Sequence, residues 1–162
     1  MRSSQTGATL VELVITIVII SVAIAGVVGA FSLIAGRSAD PLNQTRAVKL
    51  AQLYMDEILT QKYDDQTPQG GFPKFSGPCS IGPDGEGRTT FDDVDDYDGL
   101  SGAPSTATGS ALTGYSGFAI SIAVTCAGTE VGLPAEEAKR IDLDITAPGN
   151  QTFSFTAYRA NF

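Results

Sequence analysis

Gly7-Ala8-Thr9-Leu10-Val11-Glu12-Leu13-Val14 is the stretch that decides how this chain is read. A glycine closes a short polar leader, and a long apolar run follows it. Glu12 is the one charge in that run, and from Leu13 to Gly36 no side chain ionises. A carboxylate carried into a bilayer costs about 2.5–3.5 kcal/mol on insertion scales. Glu12 is therefore a candidate functional residue.

The apolar run predicts a membrane helix over residues 8–36. Its length as a helix is about 42 Å, at about 1.5 Å per residue, against a bilayer core of about 30 Å. Such a helix must tilt or project beyond the membrane. Arg2 favours a cytoplasmic N-terminus, and Arg37 and Asp40 mark the far side. Ala23, Ala25, Gly26, Gly29 and Ala30 gather in the second half of the run. They suit close helix packing, and they equally suit ordinary membrane-helix composition.

Pro41 is expected to kink or briefly break the helix. Residues 37–62 then continue as an amphipathic stem. Ala47, Leu50, Ala51, Tyr54 and Ile58 share one helical face and are read as core. Residues 63–162 form the head. Its first half, 63–110, is rich in Gly, Pro, Asp, Ser and Thr and reads as loops with at most a short strand. Alternation then predicts strands over 118–126, 140–147 and 151–159. Ile120, Ile122, Val124 and Cys126 fall on one face of the first strand. Ile141, Leu143 and Ile145 face inward on the second, and Phe153, Phe155 and Ala157 on the third. Pro148-Gly149-Asn150 is a turn signal, and a short helical turn is expected over 134–138. The fold class is α+β: a long N-terminal helix whose outer half packs on a small antiparallel sheet.

The chain has 162 residues and a net charge of −8, with no histidine. Phosphate-backbone binding rests on Lys and Arg, so no nucleic-acid partner is expected. The commonest general base and transition-metal ligand is missing. No phosphate-cradling glycine loop or zinc spacing is present, so no enzyme is expected. Cys79 and Cys126 are the only thiols. Beyond a membrane segment such a pair is most simply one disulfide, and two separate buried thiols are the alternative.

Asp92, Asp93, Asp95, Asp96 and Asp98 crowd into seven positions. Like charges this dense repel unless they are solvated or neutralised. Phe91, Val94, Tyr97 and Leu100 recur every third residue, which predicts a turn docked by its apolar side with the aspartates outside. A solvated turn, a Ca²⁺ site and a contact for a basic partner are the readings open to it. The spacing fails the EF-hand pattern, because Val94 stands at the first ligand position. No other cofactor is expected.

The N-terminal stretch resembles the class III signal of type IV pilins and type II secretion pseudopilins, in which a basic leader ending in Gly precedes Thr-Leu-(Ile/Val)-Glu-Leu. Here Ala8 stands where Phe is usual, and Thr9-Leu10-Val11-Glu12-Leu13 fits. The resemblance implies cleavage of the leader 1–7 at Gly7/Ala8 by prepilin peptidase and N-methylation of Ala8. A secretory signal peptide has its cleavage site after the apolar region; here the order is reversed and the run stays in the mature chain. It also implies that Glu12, with Thr9, serves assembly. Glu12 would pair with the freed Ala8 amine of a neighbouring subunit; a protonated or snorkelling carboxylate is the alternative. The implied partners are other pilin subunits, the peptidase and the inner-membrane assembly platform. The implied location is the bacterial inner membrane, single-pass with a periplasmic head, and then the pilus or cell surface. Asp92-Asp93-Val94-Asp95-Asp96-Tyr97, the preceding Cys79 and Gly82-Pro83-Asp84-Gly85-Glu86, and Tyr54-Met55-Asp56-Glu57-Ile58-Leu59 look like the MshD-type minor pilins of the mannose-sensitive haemagglutinin pilus system. A minor pseudopilin of a type II secretion system is the alternative.

Overall fold

The computed structural model describes residues 9–37, 40–68 and 70–162. The chain divides into two compact units, residues 1–42 and 43–162.

The first unit holds helix α1, Leu10–Arg37. Its stretch Leu10–Ser32 is 23 residues long, has a mean hydropathy of 2.8 and is long and apolar enough to cross a membrane. Many of its residues are Val and Ile, which gain little from helix propensity. A bilayer overrides that, since backbone groups in hydrocarbon must pair within their own segment. Thr9 caps the helix: its Oγ1 accepts the Glu12 N–H at 3.3 Å. Inside the run, Thr16, Ser21 and Ser32 donate their hydroxyls to the carbonyls of Glu12, Ile17 and Val28, at 2.7, 2.7 and 3.0 Å. Each hydroxyl is thus satisfied one turn back along its own helix.

The second unit is the head. Helix α2, Asp40–Leu59, enters it. Pro41 is its second residue, in the first turn, where the missing N–H needs no partner. The stripe Ala47, Leu50, Ala51, Tyr54 and Ile58 is at most 3% exposed. The stem helix stops at Leu59 and does not reach Lys62. Thr60 donates to the Glu57 carbonyl at 2.8 Å, and Lys62 leaves the helix to bridge Asp93 as a single parallel rung.

Four antiparallel strands follow in spatial order: β1 Ser101–Gly102, β2 Ala119–Cys126, β3 Ala138–Ala147 and β4 Gln151–Ala160. The register runs Ile122↔Leu143↔Phe155, so the inward rows of three strands line up. Ile120, Ile122, Val124, Ile141, Leu143 and Ile145 are buried, and the α2 stripe belongs to the same core. Ala147, Pro148, Gly149 and Asn150 make the β3–β4 turn, with Asn150 at a φ of 63°, a conformation that Asn tolerates. Between β2 and β3 lie two 3₁₀ turns, Gly128–Val131 and Ala135–Glu137. A Cβ at Gly128 would sit 1.7 Å from the Pro134 carbonyl oxygen, so glycine is required there.

Cys126 departs from the sequence expectation. It shares the parity of the inward row but is exposed, at the last position of β2. Cys79 and Cys126 form a disulfide across 47 residues, with Cα atoms 6.2 Å apart. It ties the loop-rich segment to the sheet. Replacing both cysteines by serine should lower stability by about 2–4 kcal/mol. Urea denaturation of the detergent-solubilised chain, followed by tyrosine fluorescence, would read this as an earlier midpoint. An unchanged midpoint would show that the loop is held without the bridge.

Candidate functional site

Two regions carry chemistry. The first is the start of α1. Glu12 lies in the first turn, where the free N–H groups and the helix dipole favour a carboxylate. Thr9 and Glu12 stand three apart as in a capping box, a Thr-x-x-Glu signal legible in the sequence but assigned there to assembly alone. The structure brings these two together through the cap bond. Among the described residues the Glu12 carboxylate has no partner. Gly7 and Ala8, the expected cleavage and methylation positions, lie outside the described residues.

The second region is the acidic turn. Phe91, Val94, Tyr97 and Leu100 dock by their apolar side, as their spacing predicts; Val94 and Tyr97 are fully buried. The aspartates, however, are not all outside. Asp93, Asp95 and Asp96 are 2, 2 and 4% exposed. The reason is a cation absent from the sequence reading. Lys139, on β3, is 0% exposed. Its Nζ donates to Asp95 Oδ1 and, at 2.7 Å, to the Tyr63 carbonyl. Asp64 lies 3.7 Å away, and the Tyr63 ring sits 4.7 Å from the charge. A buried ammonium is tolerated only with such a full set of acceptors. Its sequence signal was parity: Lys139 falls on the inward row with Ile141 and Leu143.

The other carboxylates hold the turn in shape. Asp93 Oδ1 accepts the N–H groups of Asp95 and Asp96 at 2.9 and 3.2 Å. Asp96 Oδ2 accepts those of Asp92 and Asp93 at 2.9 and 3.1 Å. Asp98 Oδ1 accepts the Val124 N–H at 2.9 Å, which ties the turn to β2. Asp92 pairs with Lys62 at 2.7 Å. On the far side Tyr97 donates to Glu57 of α2 at 2.7 Å, and Arg88 reaches the same carboxylate at 2.9 Å with its guanidinium 5.3 Å above the Tyr97 ring. Burial pushes the Tyr97 hydroxyl up to about 12, and its bond to Glu57 adds to this.

As candidate calcium ligands the five aspartates therefore separate. Asp95 serves Lys139 and Asp98 serves Val124. Asp92, Asp93 and Asp96 converge instead with residues that the sequence left unconnected. Oxygens of Asp65, Asp92 and Asp93 lie within 4.8 Å of one another, and so do those of Glu86, Asp92 and Asp96. Asp92 Oδ1 and Glu86 Oε2 are enclosed and face no donor. Desolvation, and then the charge of Asp92, holds the Asp65 carboxyl above its ordinary value. Desolvation, and then Asp96, does the same to Glu86.

With this geometry in view, residues 2–28 match the sequence model of the prokaryotic N-terminal methylation motif. No curated protein and no solved structure matches the chain. The motif match supports a type IV pilin or pseudopilin, a class of structural subunits that assemble with other pilins after prepilin peptidase processing. The apolar α1 accords with anchoring in a membrane.

Two predictions follow from the buried charges. Lys139→Met leaves Asp95 and Asp64 without their cation and should cost about 3–5 kcal/mol, read by urea denaturation. Burial first, and the Asp95 carboxylate second, push Asp93 from 3.8 up to about 8. A raised acid contributes stability at low pH that is lost as pH rises from its unfolded value through its folded one. Asp93 should therefore make the head less stable from about pH 4 to about pH 8, by no more than about 1.4 kcal/mol per pH unit. Asp93→Asn keeps the acceptor oxygen and should flatten this slope; an unaltered slope would show that Asp93 does not titrate there.

Proposed function

We propose that this chain is a minor pilin, inserted in the bacterial inner membrane with its N-terminus cytoplasmic and its head periplasmic. Prepilin peptidase cleaves it after Gly7 and methylates the Ala8 amine. The mature subunit is then drawn from the bilayer by an assembly platform and joins a pilus through α1, where it primes or decorates the filament. The observation that carries this reading is the pairing of a matched methylation motif over residues 2–28 with Glu12, the one charge in the apolar stretch Leu10–Ser32, whose carboxylate has no partner among the described residues. A cationic chain end from a neighbouring subunit would offset the cost of that carboxylate and fix the axial register between stems. The MshD-type pilins of the mannose-sensitive haemagglutinin system are the group the acidic turn and early stem resemble. A minor pseudopilin of a type II secretion system is the competing assignment, and both use the same N-terminal chemistry. The role is structural, with no catalytic residue assigned.

Mass spectrometry of the protein from its native envelope should find an Ala8 start and a mass increment of one methyl group. Material that still begins at Met1 would overturn the proposal. Glu12→Ala should be cleaved normally yet be missing from purified filaments, and normal incorporation would refute the register role. Copy number in those filaments separates a minor from a major subunit.

Calcium is a second reading, favoured by the enclosed, donorless oxygens of Asp92 and Glu86. Asp65, Glu86, Asp92, Asp93 and Asp96 would supply hard oxygen ligands of the kind Ca²⁺ takes. Titration of the full chain in detergent with CaCl₂ should raise its thermal midpoint, and Asp92→Asn should abolish the rise. No heat and no shift would end this reading.

A further inference from the structure

β4 is an open edge. Its ten residues pair with β3 on one side only, and no described backbone group pairs with the other side between Gln151 and Ala157. The inward residues of β2 and β3 are buried, yet Phe153, Phe155 and Ala157 on β4 are only half-buried. Among the described residues no strand flanks them on the far side of β4. Beside this edge runs a groove of about 540 Å³ between β4 and α2, lined by the apolar Val48, Ala51, Met55 and Phe155 and by the polar Asp56 and Thr156. Val48 is 39% exposed there. Sheet proteins usually guard a long edge with proline, a bulge or an inward charge. From Gln151 to Ala157 the strand has none of these: it reads Gln-Thr-Phe-Ser-Phe-Thr-Ala.

We infer that this edge accepts an extended strand from a second, non-identical subunit, which would become the fifth strand of the sheet. Unpaired N–H and C=O groups at strand spacing are met in full only by another extended chain. The groove fixes what that chain carries. Alternate apolar side chains seat on Phe155, Met55 and Val48, and a basic residue meets Asp56. A second copy of this chain is the wrong occupant. Pairing through its own β4, it would offer Gln151–Ala157, which has no basic residue to meet Asp56, on a chain whose net charge is −8.

The inference rests on the pilin reading for its partner class, and the test separates the two. A photoreactive benzoylphenylalanine is placed at Thr156 in the full chain in cells, and in a parallel strain at Val18 in α1. The Thr156 probe should give an adduct with another subunit bearing the N-terminal methylation motif, mapped by tandem mass spectrometry to an alternating apolar segment. Val48→Glu should reduce that adduct at least tenfold without altering the thermal midpoint or the Val18 adduct. A Val18 adduct with none at Thr156 overturns the edge proposal and leaves the pilin reading standing. A Thr156 adduct joining two copies of this chain overturns it in favour of self-pairing. Absence of both adducts counts against both.

Discussion

A single ammonium group, Lys139 Nζ, sets the terms on which the head holds together. It sits with no exposed surface at the start of β3, and its acceptors come from two distant stretches, Tyr63–Asp64 and the turn at Asp95. A charge left alone there would cost several kcal/mol. The loop after α2 and the acidic turn must therefore both close on β3 together. The rung between Lys62 and Asp93 and the bond from Val124 to Asp98 then follow from the same closure. The acidic turn is built inward from this point, with backbone N–H groups consuming the carboxylates that the ammonium does not.

How far the sequence carried the reading depends on the kind of signal. The strands were legible because Ile120–Val124, Ile141–Ile145 and Phe153–Ala157 alternate cleanly, and period two is a strong local pattern. The α2 stripe was legible because five apolar residues share one helical face. The aspartates were misplaced because burial of a charge depends on a partner distant in sequence. Lys139 lies 44 residues from Asp95. One local clue existed: a lysine on an inward row demands a buried anion, and an acidic cluster was the obvious supply. Glu86 and Asp65 could not be joined to Asp92 by any local rule, because three separate loop segments meet there.

The two regions use one electrostatic principle in opposite settings. In the head, the cation and its anions are supplied by one chain and meet on folding, so the charge is neutralised before any partner arrives. At the start of α1, the Thr9 cap satisfies backbone groups while the Glu12 carboxylate keeps no partner among the described residues. Charges settled internally stiffen a subunit; a charge left open gives it a reason to bind.

The inward-turned hydroxyls of Thr16, Ser21 and Ser32 bear on how such a subunit could travel. Each already spends its donor on its own backbone, so none of the three is left to donate to a neighbouring helix. The anchor is an apolar rod with one carboxylate near its tip. If Glu12 sets the register as proposed, such a rod would slide among others until that carboxylate meets its cation.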